Sequence, residues 1–291
     1  MKKIRVIITD THFGVKNNSV TWLNSQLKFL RNQLKPKLAE LKKDYNVTLI
    51  HLGDLFDCRS SINTMVLYNV NNILKELSEV CDSIIILGGN HDYYSPLEND
   101  IYNINSLDVL DNIPNVKIVS SESSIIDGIL YVPWFHFHNI SKLKNALSLG
   151  TFDLIATHTD LLHQSEEHYS LLKDYKIISG HIHSPNRINR NKFNLGSCYP
   201  LTFIDANQDR GYYIMIENDI NSIELYKNTQ SIQFYRIVSD DIINIDVNKI
   251  NNNDYVELYL NDLEYSDSKY TERIKLFNST CNCNTIISSK P

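Results

Sequence analysis

The chain has 291 residues, 42% of them hydrophobic, which is enough to bury a full core as one large domain or two and argues against a disordered chain. Lys and Arg number 28 against 34 Asp and Glu, for a formal charge of -6, so there is no global basic field and binding to nucleic acid would need a local attraction for phosphate. Bound divalent cations would supply one.

The first apolar run, Ile4 to Thr9, is too short for a membrane span or a signal sequence and ends in Asp10-Thr11-His12. Side chains alternate along extended chain, so residues i and i+2 project the same way and one metal could take both Asp10 and His12. Leu23, Leu27, Leu30, Leu34, Leu38 and Leu41 then predict a long helix, kinked at Pro36. Val47 to Leu52 reads as a strand delivering Gly53-Asp54-Leu55-Phe56-Asp57, with His51 structural. Val66, Val70, Ile73 and Leu77 predict a second helix, and Ser83 to Leu87 a strand ending in Gly89-Asn90-His91-Asp92.

Val116 to Val119 and Ile125 to Trp134 read as strands. Phe152 to Thr157 leads to His158, and Tyr175 to Ser179 to Gly180-His181-Ile182-His183. Gly211 to Ile216, Ser222 to Tyr226 and Ile232 to Val238 extend a large sheet system. His136, His138, His163 and His168 read as surface residues. Ser239 to Asn253, rich in Asp and Asn, reads as a linker to a small module with strand-like Tyr255 to Leu260 and helix-compatible Lys269 to Phe277; the tail Thr280 to Pro291 has no helical period. Strands alternating with helices imply a layered α/β core, divided as 1–238 and 239–291. The cysteines are odd in number, scattered and without zinc-site spacing, which fits reduced thiols in a cytoplasmic protein.

Ligand-type residues thus stand at five strand ends, where open α/β sheets place their sites. A lone Asp-x-His or His-x-His is an ordinary polar pattern. Five such ends in order, each behind an apolar strand, are not.

In this order of motifs the chain resembles the calcineurin-like metallophosphoesterase superfamily, over roughly residues 4 to 217. The resemblance implies an α/β fold, a layered β-sandwich flanked by helices, with residues 239–291 as a small capping module. It implies two divalent metals: Asp10, His12 and His183 hold one, Asn90, His158 and His181 the other, and Asp54 bridges them. Imidazole, carbonyl and carboxylate ligands suit Mn, Fe or Zn better than Ca or Mg, and Mn is the expectation. His91 becomes the general acid or a transition-state stabiliser, and Asp92 either the partner that fixes its tautomer or a turn residue.

Within the superfamily, Gly53 to Arg59, Tyr131-Val132-Pro133-Trp134 and Leu195 to Thr202, running on to Asp205 and Asp209 to Tyr212, resemble the DNA-repair exonucleases of the SbcD type, especially the phage recombination endonucleases. This implies a nuclease acting on DNA in the host cytoplasm if phage-encoded, with an SMC-like ATPase partner of the SbcC type and a homodimer. Asp57 stands where cellular members often carry a DNA-positioning histidine, and the short C-terminal part implies a reduced cap without an evident ATPase-docking segment. Arg59, Arg187 and Arg190 read equally as phosphate contacts or solvated arginines. The competing function is a small-molecule or cyclic-nucleotide phosphodiesterase, which would share every metal motif.

Overall fold

A computed structural model of the protein describes residues 1–94 and 104–287. The described residues of Met1–Cys198 with Arg210–Gln230 form one compact unit, and those of Tyr199–Asp209 with Ser231–Pro291 a second.

In the first unit β1 (Lys3–Ile8), β2 (Asn46–His51), β3 (Ser83–Leu87) and β4 (Val116–Val119) are successive parallel neighbours. A second sheet takes β5 (Ser124–Ile126), β6 (Ile129–Val132), β7 (Leu154–His158), β8 (Ile177–Gly180), β9 (Asn186–Asn189) and β10 (Lys192–Asn194). The chain then returns to the first sheet through β11 (Gly211–Ile216), antiparallel to β1, and β12 (Glu224–Lys227). The two orders are β12-β11-β1-β2-β3-β4 and β5-β6-β7-β8-β10-β9. Because β1, β2 and β3 are parallel neighbours, their C-terminal ends emerge at one edge; β7 and β8 do the same in the second sheet.

Strands β1, β2, β3, β6, β7 and β8 are largely apolar runs because both of their faces are buried. Between the sheets Ile7, Ile50, Leu52, Ile85 and Leu87 form one core with Ile129, Tyr131, Leu154, Ala156 and Ile178. On the far face of the second sheet, Leu130, Val132, Ile155 and Ile177 pack with Phe137, Leu143 and Leu172 from helices Trp134–His138, Ile140–Leu147 and Glu166–Leu172. Helices Val20–Phe29, Lys35–Leu41 and Thr64–Ser78 bury Leu23, Leu27, Leu38, Val66, Val70, Ile73 and Leu77. A sandwich of sheets flanked by helices is therefore the architecture.

Pro36 does not break the leucine helix. It falls where a wider π-type turn, Leu30–Leu34, gives way to Lys35–Leu41, and the widened turn accommodates the ring and the missing N–H. Ile125 to Trp134, expected as one strand, is the β5–β6 hairpin followed by a helix. The hairpin turns at Asp127-Gly128, with φ of 53° and 81°, the positive pair that an Asp-Gly turn adopts readily.

The second unit is a parallel sheet of β13 (Phe234–Val238), β14 (Tyr255–Leu260) and β15 (Asn282–Ile287), with helix Ser268–Thr280 between the last two. Here the sequence reading is corrected. Strand 234–238, assigned to the large domain, belongs to this sheet, and residues 239–253 are not a linker, since Ile242, Val247 and Ile250 enter its core beside Val256, Leu258 and Phe277. The tail forms β15 as far as Ile287; residues 288–291 lie outside the described residues. No described helix is long and apolar enough to cross a membrane.

Leu154 lies fully buried between the sheets, so Leu154→Ala is expected to cost about 2–5 kcal/mol by denaturant unfolding. Leu225→Ala on half-exposed β12 should stay within about 0.5 kcal/mol.

Candidate metal centre

The loops leaving β1 and β2 are laced together by main-chain bonds. Asp10 N–H donates to Gly53 O at 3.1 Å, His12 N–H to Asp54 O at 3.0 Å, and Phe13 N–H to Leu55 O at 2.8 Å. This lacing needs unusual backbone. Asp10, His12, Asp54 and His181 have φ of 52°, 43°, 54° and 78°, a region costing on the order of 1 kcal/mol or more for a residue with a side chain. Two glycines make room: a Cβ on Gly53, itself at φ 98°, would lie 2.5 Å from His158 Nδ1, and one on Gly89 would collide with the amide and carboxylate of Asp54.

All seven residues expected as metal ligands come together. Asp10, His12 and His183 form one donor group, with His12 Nε2 3.2 Å from His183 Nε2 and their Nε2 atoms 3.9 and 3.8 Å from Asp10 Oδ1. Asp54, His158 and His181 form another, and Asn90 Oδ1 joins it at 3.1 Å from His158 Nε2 and 2.9 Å from His181 Nδ1. Asp54 Oδ2 faces both, 3.7 Å from His12 Nε2 and 3.2 Å from His158 Nε2. Such convergence of N and O donors on a common space fits cations, which the buried ring nitrogens and carboxylates would otherwise have to replace with protons.

The supports are in place. His158 is fully buried and its Nδ1–H donates to Leu52 O at 2.7 Å, which turns Nε2 toward the donors. Asp10 accepts from Thr9 Oγ1 at 2.6 Å and from the His181 N–H at 3.2 Å. His51 is structural, with Nε2 2.9 Å from Thr11 Oγ1 and burial pushing its pKa down to about 3. Burial would also lower His158, but Asp54, Asp10 and the Leu52 carbonyl hold it at about 9. Burial would raise Asp54; His158, His12 and His91 keep it well below the usual carboxylate range.

His91 lies beside the donors, grouped with His12 and Asp54, and its ring meets that of His12 edge-on with centroids 4.9 Å apart. Its main-chain N–H donates to Asp54 Oδ1 at 2.8 Å and its Nδ1–H to the carbonyl of Asp57 at 2.6 Å. Asp92 is therefore not what orients it. The Asp92 carboxylate accepts the main-chain N–H groups of Asp54, Leu55, Phe56 and Gly89 at 2.9, 3.1, 3.2 and 2.9 Å, which makes it the staple between the second and third motif loops. Burial, with the nearby Asp54, lifts its pKa to about 7, while the N–H groups favour the charged form.

Asp57 is the residue the sequence reading undervalued: its carbonyl serves His91 and its Oδ1 lies 3.3 Å from His12 Nδ1. The only advance sign was its place, three residues after Asp54. Of the arginines, Arg59 is exposed just past Asp57, and Arg190 is exposed in the β9–β10 turn. Arg187 donates to Ile220 O at 3.0 Å and stacks on Phe193 at 4.7 Å, so its guanidinium is already engaged within the sheet region. Contrary to expectation His136 is buried, with Nδ1 3.0 Å from Ser123 Oγ.

The model of the family described as calcineurin-like phosphoesterase matches residues 5–185. Exonuclease subunit 1 of Enterobacteria phage T4 is 25% identical over 231 residues, covering 75% of this chain and 66% of that protein. The putative phosphoesterase 244L of Invertebrate iridescent virus 6 is 24% identical over 226 residues, covering 74% and 76%. The chain thus spans just under two thirds of the phage relative's length. Among solved structures, the nuclease MPE of Pseudomonas putida matches with a TM-score of 0.32 and 14% identity over 62% of this chain and 61% of that one.

Removing Asp92 would leave four buried N–H groups unpaired, so Asp92→Ala is expected to cost on the order of 3 kcal/mol or more in denaturant unfolding. His91→Ala should leave the unfolding midpoint nearly unchanged; equal loss in both variants would contradict the staple.

Proposed function

Because the chain belongs to the calcineurin-like phosphoesterase family, and so is a metal-dependent phosphoesterase, we propose that it is a two-metal nuclease that hydrolyses DNA phosphodiesters. The observation that carries the two-metal part is the shared Asp54 Oδ2, which faces the ring nitrogens of both donor groups. Asp10, His12 and His183 would hold one ion, Asn90, His158 and His181 the other, and Asp54 both. When bound, two such ions lower the pKa of water and offset the charge of a phosphate undergoing in-line displacement.

The chain's own residues supply the rest. Asp54 is locked by the main-chain N–H of His91, so the bridging carboxylate and the proton donor move as one unit. The Asp57 carbonyl occupies His91 Nδ1, leaving Nε2 to deliver a proton to the leaving oxygen. Leu52 O does the equivalent for His158, leaving its Nε2 for metal.

The DNA substrate is supported by the likeness to the phage exonuclease subunit and by the Tyr131 to Trp134 and Gly196 to Thr202 stretches. In a chain of net charge -6, the metals and exposed Arg59 and Arg190 would attract the phosphates. Mn is the metal we favour for this donor set, with Fe and Zn as the alternatives. An SMC-like ATPase partner, a homodimer and a role in recombination or repair in the cytoplasm complete the proposal, by the same likeness.

Purified protein with Mn should degrade end-labelled DNA of defined structure. Cleavage of a small phosphodiester while DNA stays intact, with and without the ATPase, would instead identify a small-molecule phosphodiesterase. His91→Ala should lower cleavage about 10²- to 10⁴-fold with both metals retained, whereas His181→Ala should lower metal content. Metal analysis alongside kinetics separates the two, and equal metal loss in both would refute the role given to His91.

A further inference from the structure

His12 is 4% exposed, and among the described residues no acceptor meets its buried Nδ1 in full hydrogen-bond alignment. Its other ring nitrogen, Nε2, is the one that faces Asp10, Asp54 and His183. A neutral imidazole that ligates through Nε2 must carry its proton on Nδ1, and a buried N–H without an acceptor is costly. The polar atom at hand is Asp57 Oδ1, 3.3 Å from Nδ1.

Asp57 is well placed to be that acceptor. Its N–H donates to Phe13 O at 3.0 Å and its carbonyl accepts from His91, so main-chain bonds fix the residue while its carboxylate stays uncommitted to them. The carboxylate is about one third exposed, so it escapes the full desolvation cost borne by Asp10 and Asp54.

We propose that Asp57 is a positioning residue for metal binding, its carboxylate holding His12 in the Nδ1–H tautomer that presents a lone pair on Nε2 to the ion shared with Asp10 and His183. The proposal rests on the two-metal reading above. It separates two functions within one residue: the side chain serves His12, and the main chain serves His91. Asp57→Ala removes only the first, because the carbonyl that meets His91 remains.

The test is titration of the metal-free protein with Mn²⁺, followed by calorimetry, for the wild type, Asp57→Ala and Asp57→Asn. Wild type should bind two ions. Asp57→Ala should weaken one of them about 10- to 100-fold, the range for loss of a residue that orients a ligating histidine, and leave the other within about twofold. Asp57→Asn keeps an acceptor oxygen and should recover most of that loss. In His158→Ala, which isolates the His12 ion, adding Asp57→Ala should weaken the ion that remains. Two ions bound by Asp57→Ala with wild-type affinities, both ions weakened equally, or an Asn variant no better than Ala would each overturn the assignment. Fewer than two ions in the wild type would instead overturn the two-metal reading on which it rests.

Discussion

The Asp92 carboxylate, accepting four main-chain N–H groups, joins the turn that carries Asp54 to the turn that carries Asn90. Everything else at the site is referred to that junction. With the two turns fixed, His91 N–H reaches Asp54 Oδ1, Asp57 reaches both His91 and His12, and the Gly53 carbonyl meets the amide of Asp10. The sandwich brings strand ends to one edge of each sheet. The staple sets two of the loops to within hydrogen-bond precision, which donor groups sharing one carboxylate oxygen require.

The electrostatic design follows from burial. Asp10 and Asp54 are almost fully removed from water and set against His12, His158, His181 and His183. Buried carboxylates are tolerable only when charge or donors compensate them. In metal-free protein the compensation is protons, which is why His158 is raised to about 9 and His12 is also raised, its carboxylate neighbours Asp57, Asp54 and Asp10 outweighing burial. Cations would take the place of those protons, so loading releases protons and strengthens with pH. The left-handed backbone at Asp10, His12, Asp54 and His181 adds stored strain that the lacing between loops sustains.

Much of this was legible in the sequence, for a physical reason. Strands buried on both faces are short apolar runs with abrupt polar ends, and the site residues are those ends. Ser83–Leu87, Val116–Val119, Gly211–Ile216 and Tyr255–Leu260 fall where the pattern puts them. What escaped depends on main-chain geometry or on contacts distant in sequence. The β9–β10 hairpin lacks an apolar run, and the Asp127-Gly128 turn was hidden inside a longer one. Polar residues in 239–253 masked the apolar Ile242, Val247 and Ile250 that join the second core. Asp92 and Asp57 could not be told apart by type: each is an Asp close after a motif residue, and only the structure shows one spent on backbone amides and the other beside His12.

The central claim is that Asp54 is shared by two ions. Metal content per chain, measured by mass spectrometry after Mn loading and removal of free metal, tests it most directly. The account predicts two ions in the wild type and loss of both, to well below one per chain, in Asp54→Ala. One ion in the wild type, or an Asp54→Ala protein that keeps two, would contradict it.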